Sequence, residues 1–110
     1  MHLKFRGALT FDTDEALEHG MTVIEQKIQE TDNSFLTMEH IQPLGLHVTV
    51  THSGNATQAQ VTQCRNLLET FAGLAYSGYV DMLVDDNPQE RFHAKEIAPK
   101  EVSVDDIATA

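Results

Sequence analysis

The sequence predicts an α+β fold: one antiparallel sheet with two amphipathic helices laid on one of its faces. Three observations carry this. Leu44, Leu46, Val48 and Val50 alternate with polar neighbours, the period-2 pattern of a half-buried strand. Two longer stretches, near 13–30 and 57–75, repeat their apolar residues at helical spacing. At 110 residues the chain can bury one real core but not two.

Taken in order, Leu3, Phe5, Gly7, Leu9 and Phe11 alternate with Lys4, Arg6, Ala8 and Thr10, giving a first strand with one apolar face. Gly7 in its middle marks a bulge or a close packing neighbour. Asp12 is a helix cap with Glu15 at the capping-box position, and the acids of that first turn oppose the helix dipole. Leu17, Met21, Ile24 and Ile28 form the buried stripe of this first helix. After the turn residues Thr31–Ser34, residues Phe35–Ile41 read as a strand. Gln42-Pro43-Leu44-Gly45 suits a type I turn with Gly45 as a bulge, which sets Leu36 and Met38 on the face of Leu46, Val48 and Val50.

The run Thr51–Ala56 then reads as a polar loop. Thr57 caps the second helix with Gln60 completing the box, and Val61, Cys64, Leu68, Phe71 and Ala75 form its core stripe. Tyr79–Val84 is a strand, Asp85–Pro88 a turn, and a short fifth strand is expected near 91–95. Residues 1–98 are expected to form a single domain, with 99–110 an acidic tail that is either disordered or an added strand. The order strand–helix–strand–strand–helix–strand, over about residues 3–85, resembles the ferredoxin-like βαββαβ two-layer sandwich. That likeness implies an architecture and no activity, because the architecture hosts unrelated functions.

Seventeen acids against seven bases give a net charge of −10. Such a balance disfavours nucleic acid and anionic membrane, both of which need a cationic footprint. RNA on an open sheet face would also need exposed aromatic residues for stacking, and Phe5 and Phe11 belong to the apolar set. No run approaches the roughly 18 apolar residues of a membrane span. Met1–Arg6 is not followed by an apolar stretch, so no secretory signal is expected. The single cysteine, Cys64, excludes an internal disulfide and fits a reducing cytoplasm.

Two places stand out as candidate sites. The polar side of the sheet should gather Lys4, Arg6, His47, Thr49 and Asp81 on a face that the helices leave open, a surface for binding another chain. The residues His52, Ser53, Gly54 and Asn55 lead into a helix N-terminus, where backbone N–H groups can hold a small anion or ligand. Six histidines invite a metal site, but no paired-ligand motif is present. His47 and His52, five apart, would fall on opposite faces of an unbroken strand. Neither a metal nor a cofactor is therefore expected, and no residue is assigned a catalytic role.

The leading expectation is a small acidic, non-enzymatic, cytoplasmic protein-binding module. Its partner would be a basic protein, of the kind an inhibitor or immunity protein meets, or a second copy docked through the open sheet. The acids Asp81, Asp85, Asp86 and Glu90 favour the basic partner. One alternative is a cofactor-free enzyme or small-ligand protein of the dimeric α+β type, with His40, His47 or His52 in a pocket. Another is an auxiliary domain with no activity of its own.

Overall fold

Strand β1 (His2–Thr10) is the spine of the sheet, paired antiparallel with β3 (His47–Asn55) on one side and β4 (Ser77–Val84) on the other. β2 (Ile41–Leu44) adds to the β3 edge and β5 (Glu90–His93) to the β4 edge. The computed structural model describes residues 1–94. Among these, five antiparallel strands form one sheet in the order β2-β3-β1-β4-β5, with helices α1 (Asp14–Gln29) and α2 (Gln58–Leu74). The expected tail, 99–110, lies outside the described residues.

Alternation decides which side of the sheet is covered. Leu3, Phe5, Leu9, Val48, Val50, Val80, Met82 and Val84 are buried in one cluster with Ile24 of α1 and Val61, Cys64, Leu67, Leu68, Phe71 and Ala72 of α2. Both helices therefore lie on that side. The alternate residues Lys4, Arg6, His47, Thr49, Thr51, Tyr79 and Leu83 are exposed. An antiparallel sheet with one dry and one wet face needs this pattern and no more. α2 begins as its sequence predicts: the Thr57 hydroxyl accepts from the Gln60 N–H, and the Gln60 side chain accepts from the Thr57 N–H.

Four local expectations are corrected. The cap of α1 is Thr13 rather than Asp12, its hydroxyl accepting from the Ala16 N–H at 3.0 Å. Residues 35–40 are not a strand. Phe35 and Leu36 are adjacent and both buried, which no strand facing a single core achieves, and the chain continues as a 3₁₀ turn over Met38–His40. The hairpin then turns two residues later than expected, at Gly45-Leu46, with Leu44 opposite His47 and Ile41 opposite Val50. Gly45 has φ +63, the positive value a two-residue hairpin turn needs at its first position. Leu44 is left 81 % exposed at the tip instead of joining the buried set.

The fourth correction concerns 51–55. His52, Ser53, Gly54 and Asn55 are strand, not loop, and pair with Phe5, Lys4, Leu3 and His2 in turn. The first half of β1 needs partners for its backbone groups, and this segment supplies them. Its alternation is hidden because the inward positions are a histidine and a glycine.

Candidate functional site

The helix-free face is built from the outward residues of five strands, and the pairing register fixes its rows. Arg6 of β1 lies opposite Asp81 of β4, which lies opposite Arg91 of β5. Ala8 lies between Thr49 and Tyr79, with His93 beyond Tyr79. Thr10 lies opposite His47, and the two side chains meet at 3.1 Å between Oγ1 and Nδ1. The five residues assigned to this face from sequence therefore share it, but only Lys4, Arg6 and Asp81 are close neighbours. Thr49 and His47 sit toward the β2 edge.

Asp81 is the only carboxylate among the strand residues of this face, and it is already engaged. Arg91 grips it with both branches of the guanidinium, Nε to Oδ1 at 2.7 Å and Nη2 to Oδ2 at 3.0 Å. The same guanidinium lies over the Tyr79 ring, 3.8 Å from its centre. That arrangement combines a bidentate ion pair with cation–π contact and fixes three side chains at once. Among the described residues, Arg6 and Lys4 form no ion pair. Among the strand residues of this face, three cations, Lys4, Arg6 and Arg91, stand against one anion, a balance of +2 opposite in sign to the chain's −10, with Asp85 just past the end of β4 beside His2.

Beside Lys4 and Arg6 the surface dips into a depression of about 590 Å³, lined by these two cations and by Ala8, Tyr79, Asp81, Leu83 and Gln89 among others. Its floor is low because β1 presents only the methyl group of Ala8 beside the longer Arg6. Leu83 and Tyr79 are 37 % and 41 % exposed and flank it with apolar surface. Sequence reading missed Tyr79, Leu83, Arg91 and Gln89. The parity of β4 already pointed Tyr79 and Leu83 outward, but only the β4–β5 register brings Arg91 onto Asp81 and Tyr79.

His52 is placed on the other side of the sheet from His47, with the core. Its ring stacks on His40, centres 3.7 Å apart and planes 12° from parallel, and lies 4.8 Å from Phe35. Phe5 meets Phe35 and both imidazoles edge-on or tilted at 6.0–6.2 Å. The Thr37 N–H donates to His40 Nδ1 at 3.1 Å, so the neutral ring carries its proton on Nε2. Burial, then the facing His52, push the His40 pKa below the ordinary imidazole value, against a smaller upward pull from Glu39. Stacked rings direct their nitrogens away from a common point. Among the described residues no three metal-type ligands gather here or elsewhere.

The remaining acids and the thiol are also accounted for. Asp85 accepts the His2 N–H at 2.7 Å. Glu90 is held by Arg65 of α2 through two bonds of 2.8 Å, which lower its pKa. Three acids of the group 81–90, Asp81, Asp85 and Glu90, thus meet internal partners, while Asp86 is exposed. Burial pushes the Cys64 thiol up to about 12, so it is a packing residue and not a nucleophile. Among the described residues, no helix is long and apolar enough to cross a membrane. Comparison with known family models, curated proteins and solved structures returns no match to this chain.

Proposed function

We propose that this protein is a non-enzymatic binding module that works through the helix-free face of its sheet and meets a negatively charged group of its partner at Lys4 and Arg6. The observation that carries the reading is the charge reversal: the strand residues of this face sum to +2 on a chain of −10, and two of its cations form no ion pair among the described residues. Cations left without partners where an acid stands in register are available to a ligand, and opposite charge both orients and speeds docking. The expectation of a basic partner rests on net charge, whereas the local sign of this face calls for an acid. A second copy docked face to face would oppose two +2 surfaces, so the partner we favour is another molecule.

The architecture we propose is the ferredoxin-like sandwich extended by one strand. The order β2-β3-β1-β4, antiparallel throughout with a helix in each crossover, supports it, and β5 is the addition at the β4 edge. In this frame α1 and α2 act as the support that holds the sheet, not as the contact surface.

Photo-crosslinking in cells tests the functional reading. A benzophenone side chain at Thr51, on the open face, should form partner adducts that disappear when Lys4 and Arg6 are both changed to Glu. The same group at Thr62, on the exposed side of α2, should form none. Adducts from Thr62 alone, or adducts from Thr51 indifferent to the charge reversal, would rule the reading out.

A further inference from the structure

We infer that the depression beside Lys4 and Arg6 is a site for a small organic anion, a carboxylate or phosphate held by the two cations with a flat apolar body lying over Ala8 against Tyr79. The inference rests on the binding-face reading above and names its ligand class. A volume of about 590 Å³ falls within the roughly 300–1,000 Å³ of small-molecule sites.

The charges select an anion. Lys4 and Arg6, two residues apart on one strand, project from the same face about 7 Å apart, a span their long side chains close on a single acidic group. The arginine fork matches a carboxylate or phosphate in two bonds, and the ammonium adds a mobile point charge. Asp81 would ordinarily quench Arg6, its neighbour across β1 and β4. Arg91 instead takes both carboxylate oxygens of Asp81, and Arg6 forms no ion pair among the described residues.

The walls select a flat body. Arg91 stacked at 3.8 Å on Tyr79 holds the ring in one orientation, and a fixed ring is a better platform than a mobile one. Ala8, in register with Tyr79, is short enough for a planar group to approach the backbone, and Leu83, in register with Lys4, adds apolar surface at the far end. Gln89 at the rim offers one further donor and acceptor. Asp81, the one lining carboxylate among the described residues, is already held by Arg91, which disfavours a cation. A small anion engages only charges within the screening length of roughly 8–10 Å, so the local cations outweigh the chain's total of −10.

Titration of the full chain with benzoate, phenyl phosphate, inorganic phosphate and benzyl alcohol, followed by amide chemical shifts, tests the assignment. Benzoate and phenyl phosphate should bind, with benzyl alcohol at least about ten-fold weaker. Arg6→Gln and Lys4→Gln should each weaken phenyl phosphate about ten-fold while leaving the rest of the spectrum native. Tyr79→Ala should weaken phenyl phosphate but not inorganic phosphate. Equal binding of benzyl alcohol and benzoate, or indifference to both charge-removing variants, would overturn the assignment. So would failure of all the probes to bind. A hexaglutamate peptide that still shifts the same face would then show that the small-ligand assignment fails while the broader reading survives.

Discussion

Gly7 sits where β1 and β4 approach most closely, and its missing side chain is a packing requirement. A Cβ there would stand 2.2 Å from the Tyr79 carbonyl oxygen and 2.5 Å from Val80 Cα, both backbone atoms of the paired strand. Neither can yield without disturbing the ladder that positions Tyr79 and Asp81. Gly7→Ala should therefore destabilise the protein by about 2–4 kcal/mol in urea unfolding. A neutral variant would mean that the two strands are further apart than described. A glycine in an alternating strand announces a close neighbour, so this much is legible in the sequence; which backbone it meets depends on strand order. Capping shows the same limit. Thr57 with Gln60 directly precedes the apolar stripe of α2, whereas Asp12 and Thr13 are adjacent and both able to cap α1. Choosing between them takes the geometry of the first turn.

At the scale of elements, the stacked imidazoles of His40 and His52 join the turn before β2 to the far half of β3. Their contact with Phe5 and Phe35 covers one end of the core, each aromatic pair adding about 0.5–1.5 kcal/mol beyond burial. Because the folded state lowers the His40 pKa, the unfolded chain binds the more protons as pH falls through the ordinary value near 6.5. Stability is therefore full above that pH and declines as pH drops toward the folded pKa. Glu90 acts in a separate window. Its lowered pKa gives stability above the ordinary carboxyl range that is lost only in stronger acid. Unfolding of the wild type and His40→Gln at a series of pH values should show a smaller loss between roughly pH 7 and 5 in the variant. Identical slopes would remove His40 from the account.

This element pair was hidden from sequence reading for a physical reason. Thr51, Ser53 and Asn55 are polar because they face water, while His52 and Gly54 face inward, so burial leaves no apolar alternation to read. Phe35 and Leu36 mislead in the opposite sense, since two consecutive apolar residues suit a segment crossing the end of a core as well as a strand. Only Val48 and Val50, flanked by exposed threonines, carry the pattern without ambiguity. The result is a hairpin whose existence is legible and whose register is not.

At the scale of the whole molecule the governing feature is charge segregation. Asp14, Glu15, Glu18 and Glu25 are exposed on α1, away from the open face, and most acids of β4 and β5 are bound internally. On the opposite side the strands carry Lys4 and Arg6, which form no ion pair among the described residues. Total charge alone points to a basic partner; its distribution over the fold points to an anion at one defined place. Amide chemical-shift mapping of the full chain during addition of hexaglutamate, at low and high salt, tests this most directly. The account predicts changes confined to residues 4–8, 79–83 and 91, vanishing as salt is raised. Changes centred on α1, α2 or the His40–His52 stack, or no salt-dependent change at the open face, would contradict it.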